Sequence, residues 1–116
     1  MAGFEDLLVW QKAMAMVRSV YGLTTKLPPD ERFGLVSQLR RAAVSIPSNI
    51  AEGHGRSSDR ELSRFLSIAL GSLREVQTLL YLVRDLGFAD PATELKQCEE
   101  IAKMIFGLRK SFLADN

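Results

Sequence analysis

One histidine and one cysteine narrow the chemistry open to this chain. Zinc takes several Cys or His ligands. A di-iron helical bundle uses Glu-x-x-His pairs. His54 stands between Gly53 and Gly55, in a stretch that reads as a loop, and belongs to no such motif. The C-x-x-C-H haem signature, the phosphate loop and the dinucleotide fingerprint are all absent. Ser45, Ser48, Asn49, Glu52 and His54 do crowd one stretch, and nucleophilic catalysis needs a nucleophile, a base and an orienting group. The same residue types also satisfy backbone groups at kinks and helix ends, and that reading is preferred. No catalytic residue, no cofactor site, no metal site and no enzymatic activity are expected. Cys98 has no partner for an internal disulfide and reads as a small buried hydrophobe in a reducing compartment.

Arginine offers a different chemistry. No acidic residue lies between Arg32 and Glu52, whereas Arg40 and Arg41 do. Arg56, Arg60 and Arg64 follow at steps of four, which places them on one side of a helix wherever the helix extends. Arg60, Arg64, Ser67, Gly71, Arg74 and Thr78 continue the stripe. The planar fork of arginine suits phosphate. These six arginines (Arg40, Arg41, Arg56, Arg60, Arg64 and Arg74) are the candidate nucleic-acid contacts. The competing reading is a solvated face on which they pair with Glu61, Glu75 and other acids.

Four segments must position these residues, at about 6–27, 30–53, 58–87 and 90–114, each with helical periodicity. In the first, Leu7, Trp10, Met14, Val17 and Tyr21 form one apolar seam. Val9, Ala13, Met16, Val20, Leu23 and Leu27 form a second. Pro28-Pro29 ends it. The second helix starts near Asp30 and buries Leu35, Val36, Leu39, Ala42, Ala43, Ile46 and Ile50. Pro47 lies inside it and predicts a kink, because the apolar phase carries through to Ile50. Ser45, Ser48 and Asn49 stand ready to satisfy the freed backbone groups. Gly53 and Gly55 supply the stop.

Ser58-Asp59-Arg60-Glu61 matches a capping box for the third helix. That helix also carries two seams, Leu62, Leu66, Ala69, Leu73, Val76, Leu80 and Val83, and then Phe65, Ile68, Leu79, Leu82 and Leu86, before Gly87. Asp90-Pro91 opens the fourth helix. Its buried face is Leu95, Cys98, Ile101, Ala102, Ile105, Leu108 and Phe112. Lys96 with Glu100 and Glu99 with Lys103 are spaced to pair on its outer face. Short connections favour antiparallel neighbours, so the expected architecture is all-α, a single up-down-up-down four-helix bundle domain over residues 1–116.

The chain has 116 residues, 47% apolar and 25% charged, with a net charge of +1, which argues against a polycationic tail. Met1 to Asp6 is acidic and lacks a basic leader. Charge breaks every apolar run before the ~18 residues a membrane span requires. A cytoplasmic protein without membrane attachment is expected. A bundle helix needs roughly three apolar positions per heptad. Helices 1 and 3 carry nearer four, so a subunit interface is expected to cover the excess. The mid-helix glycines Gly22, Gly71 and Gly107 are expected to have packing reasons.

Phe4 to Ala13, Glu31 to Ala43, Ser45 to Gly53 (the most specific block) and Phe65 to Glu75 resemble successive segments of one family. It is the four-helix-bundle family named after proteins encoded in intervening sequences of bacterial 23S ribosomal RNA. The resemblance spans nearly the whole chain. The family includes an accessory protein of diversity-generating retroelements, a basic ring-shaped homopentamer that binds nucleic acid and the reverse transcriptase. The resemblance implies a ring-forming homo-oligomer, a pentamer, with RNA or DNA as a partner. It carries over no catalytic residue. The mild net charge departs from the strongly basic relative. The alternative is a protein-interaction scaffold with a protein partner and no nucleic acid. Plain structural roles also fit: Phe4 and Trp10 can staple the first helix to the core, and Arg40 can pair with Glu52, Glu75 or a neighbouring subunit.

Overall fold

In the computed structural model, which describes residues 3–56 and 58–114 (of 112–114 the backbone alone), helices account for all regular structure and no strand is present among the described residues. Phe4–Asp6 forms a short 3-10 turn. Helix α1 then spans Leu8–Thr24, α2 Leu35–His54, α3 Asp59–Asp85 and α4 Ala92–Ala114. A second 3-10 turn, Pro29–Glu31, lies between α1 and α2. Helix α1 packs on α2 and α4, and α3 packs on α2 and α4. This arrangement is consistent with a bundle around one core.

The helix boundaries depart from expectation where side chains intervene. Helix α1 ends at Thr24, ahead of Pro28. The Thr24 and Thr25 hydroxyls donate to the Tyr21 and Gly22 carbonyls at 2.8 and 2.7 Å, and the chain tightens. Helix α2 starts at Leu35, not Asp30, because the turns after Pro29 use those residues. Glu31 Oε1 then accepts the Leu35 N–H at 3.2 Å and caps the helix from outside. His54 is the last residue of α2 rather than a loop residue.

Helix α2 runs unbroken through Pro47, as its apolar phase requires. The hydroxyl of Ser48 donates to the Val44 carbonyl and the Asn49 amide to the Ser45 carbonyl, at 2.9 and 2.7 Å. These are neighbours of the Ala43 carbonyl that proline leaves free, not Ala43 itself. Ser45 Oγ meets Ser72 Oγ at 2.8 Å, a polar tie between α2 and α3.

Three termini match their signals. The Ser58 hydroxyl accepts the Glu61 N–H at 3.2 Å. The reciprocal half of the capping box is missing, because the Glu61 carboxylate turns to Arg64. Asp90 Oδ1 accepts the Ala92 N–H at 3.0 Å, as an N-cap before Pro91 should. Gly87 adopts φ +74°, the left-handed turn that closes α3.

The core is one seam of each long helix. Met16, Val20, Leu39, Ile46, Ile50, Leu66, Leu73, Val76, Leu80, Ile101 and Ile105 are essentially inaccessible. Phe4 meets Trp10 edge-to-face at 5.2 Å and pins the start of α1. The α1 seam that ends at Tyr21 and the Phe65–Leu86 seam of α3 remain partly outside: Tyr21, Ile68, Leu82 and Leu86 are exposed. Phe112 lies outside the described side chains. A Cβ added at Gly22, Gly71 or Gly107 would meet nothing within 4 Å, so their expected packing reason is not found among the described residues.

Gly53 differs. An added Cβ would stand 2.7 Å from Phe65 Cβ and 3.1 Å from Leu62 Cδ1, so α2 and α3 touch there. Gly53→Ala is expected to destabilise by about 1–3 kcal/mol, since Phe65 Cβ moves only with its backbone. A urea titration followed by circular dichroism would show the shifted midpoint.

The side-chain pairs expected along α4 do not form. Glu100 reaches Lys12 on α1 at 3.0 Å instead of Lys96, and Glu99 and Lys103 are not within bridging distance. Helix α3 alone among the described helices has the length and composition to cross a membrane, but Arg74 and Glu75 interrupt it and its apolar seam is the bundle core.

Cys98 is buried. Burial, with the Glu94 carboxylate adding and Arg74 opposing, pushes its thiol from 9.0 up to about 12. The folded thiol therefore keeps its proton between those values while the unfolded chain releases it. Below pH 9 both states are protonated and the thiol has no pH effect. Above it, wild-type stability should fall relative to Cys98→Ala by up to about 1.4 kcal/mol per pH unit. Paired urea melts from pH 8 to 11 would reveal the divergence.

Candidate nucleic-acid interface

Helical spacing alone suggests a single arginine surface, but the side chains divide among four places. Arg40 belongs to the α1–α2 seam. Its Nε donates to Thr24 Oγ1 at 2.9 Å and its guanidinium lies 4.4 Å over the Tyr21 ring. It reaches neither Glu52 nor Glu75. Arg41 faces the groove between α2 and α3, with Gln38, Ser45, Ser72 and Glu75. Arg74 donates to Gln77 Oε1 at 2.8 Å and leans toward Phe106 of α4.

The remaining three gather at the corner where α2 passes into α3. Ser58 caps α3, so Arg60 and Arg64 fall one turn apart on its first exposed face. Close contact at Gly53 seats Phe65 against the end of α2. Arg56 and Arg64 both lie over that ring, at 5.0 and 4.6 Å from its centroid. Stacking holds a guanidinium in place while its N–H edges stay free to donate. Arg56 also meets Glu52 at 2.8 Å, and Arg64 meets Glu61 at 3.0 Å. The Arg64 hydrogen bond holds the Glu61 carboxyl below its ordinary range. Arg60 is exposed and forms no ion pair among the described residues.

Exposed ion pairs of this kind contribute about 0–1 kcal/mol. A phosphate could therefore exchange for either carboxylate at little cost. The expectation that acids pair with these arginines holds for Arg64 with Glu61. It does not hold for Glu75, which forms no ion pair among the described residues.

Two kinds of feature escaped the sequence reading. Tyr21 and Phe106 stand on other helices than Arg40 and Arg74, and Phe65, though adjacent to Arg64, reads in the sequence only as one more apolar seam position. Arg109 of α4 also lines a cleft with Arg60 and Arg64. Its signal was present: steps of four, three and four lead from Cys98 through Ala102 and Ile105 to a cation on the buried face. Among the described residues no three His, Cys, Asp or Glu side chains converge as a metal cluster would require.

The model of the 23S rRNA-intervening sequence protein family matches residues 5–107. The chain belongs to that family. The match runs from the Phe4–Asp6 turn well into α4, so it includes the Phe65 corner and stops two residues before Arg109. Comparison with curated proteins finds no similar sequence. The six candidate arginines, Arg40, Arg41, Arg56, Arg60, Arg64 and Arg74, lie inside the matched span.

Proposed function

We propose that this protein is a non-enzymatic, self-associating, up-down-up-down bundle, bent at Pro47, that holds structured RNA or DNA through the arginines at the α2–α3 corner. The observation that carries this reading is the Phe65 platform, with Arg56 and Arg64 stacked on it and Arg60 beside it. The family's link to ribosomal RNA genes supports the choice of ligand. One protomer offers few phosphate contacts, in keeping with its net charge of +1. Copies of the corner repeated in a closed ring, a homopentamer by the family resemblance, would add those contacts together. The partly exposed Tyr21 seam of α1 and Ile68 seam of α3 supply the apolar surface such an assembly would bury.

The test is a titration of labelled ribosomal RNA helix fragments into protein sized by light scattering, repeated across salt concentrations. Sub-micromolar binding to an oligomer, weakening steeply with salt, is the expected result. Absence of binding at low salt would overturn the reading.

A second reading rests on a separate observation. Trp10, Met14, Val17, Val44, Pro47 and Ala51 line an apolar groove of ≈ 320 Å³ between α1 and α2. A scaffold for a protein partner would use such a surface. Partners that survive nuclease treatment of a pull-down would favour it.

A further inference from the structure

Arg109 follows Ala102 and Ile105 at helical steps on the side of α4 that meets the core. It is half-buried, and its Nε is shielded from solvent without an acceptor among the described residues. A shielded donor left unpaired is unfavourable. Arg109 also stands with two other cations. Arg60, Glu61, Ser63, Arg64, Ser67 and Arg109 line an open cleft of ≈ 620 Å³ between α3 and α4. Glu61, the one carboxylate, is already engaged by Arg64 at 3.0 Å. Three guanidiniums against one carboxylate leave two positive charges in excess. An anion with several acceptor oxygens would both pair the shielded Nε–H and offset the excess charge.

We propose that this cleft is a phosphate pocket that receives one backbone phosphate of a bound nucleic-acid strand. Arg109 presents its Nε–H from α4, Arg60 presents its guanidinium and Arg64 the Nη1 edge that Glu61 leaves free from α3, and the Ser63 and Ser67 hydroxyls add neutral donors. Guanidinium forks match phosphate oxygens in pairs. The pocket rests on the nucleic-acid reading and adds to it a fixed seat for one phosphate and a residue outside the arginine stripe.

Two measurements on the full chain separate the pocket from that reading. The first compares melting in sodium phosphate and in sodium chloride at equal ionic strength. The wild type should melt higher in phosphate, as a ligand specific to the folded state requires. Arg109→Gln should lose the increment and Arg109→Lys should keep part of it. Arg60→Gln, at an exposed position, tests the same pocket if either Arg109 variant fails to fold. The second titrates labelled RNA against salt. Arg109→Gln should weaken binding about tenfold and lower the salt slope by about one. If phosphate gives the wild type no increment and Arg109→Gln binds RNA as the wild type does, the pocket is overturned while the Phe65 corner stands. If phosphate protects through Arg109 but RNA never binds, the nucleic-acid strand is overturned as the ligand while the anion seat stands.

Discussion

Arg56→Glu combined with Arg60→Glu should reduce RNA affinity by about a hundredfold or more, and should lower the salt slope by about two. Both side chains are exposed, so the cost to folding should be small. Their loss removes one guanidinium from the Phe65 ring and the one corner arginine that forms no ion pair among the described residues. The new glutamates would also repel phosphate. Arg40→Glu makes the instructive contrast. Its guanidinium serves the α1–α2 seam through Thr24 and Tyr21, so the change should lower the melting temperature more than the RNA affinity. Filter binding and thermal melts on both variants would show the two effects separate. Equal RNA affinity for the double variant and the wild type would remove the corner from consideration.

The second large effect lies in the core. Leu73 is inaccessible at the middle of α3. Leu73→Ala should destabilise by about 2–5 kcal/mol, because the surrounding helices relax only partly into the space left behind. Domains of this kind have about 5–15 kcal/mol in total. The melting temperature should therefore fall by roughly 10–20 °C. Ile68→Ser, one seam over on the same helix, should behave oppositely. Its exposure of 41% means little is lost within the protomer. Its effect should appear in the mass measured by light scattering. A drop in stability equal to that of Leu73→Ala would place Ile68 in the protomer core instead.

The apolar periodicity reveals four helices and the inward faces of α2 and α4, while α1 and α3 carry two seams each and periodicity does not choose between them. Every core position of α2 and α4 that lies inside the described side chains is buried or half-buried. Boundaries were less legible, since they turn on hydroxyls and carboxylates that cap from a distance, as Thr24, Thr25 and Glu31 do. The arginines were identifiable by type and spacing, but their grouping was not. Periodicity specifies which way a Cα faces, and a long guanidinium then travels to whichever ring or acid lies within reach. Arg74 leaves its stripe for Gln77 and Phe106 in this way. Pairing followed the same rule. Glu100 had Lys96 in its own helix and Lys12 across the seam, and it meets Lys12.

The inaccessible thiol of Cys98 gives the bundle an internal clock. It sits on α4 where that helix meets the core, and protonation keeps it silent in the closed state. Any reaction with a thiol reagent at neutral pH must then wait for α4 to lift. The rate of labelling reports those openings without a cysteine having to be engineered in. If α4 lifts alone, labelling will outpace global unfolding. If the four helices part together, the two rates will converge. Assembly through the outer seams would slow the clock as protein concentration rises, so one native side chain would report both the breathing of a protomer and its capture by others.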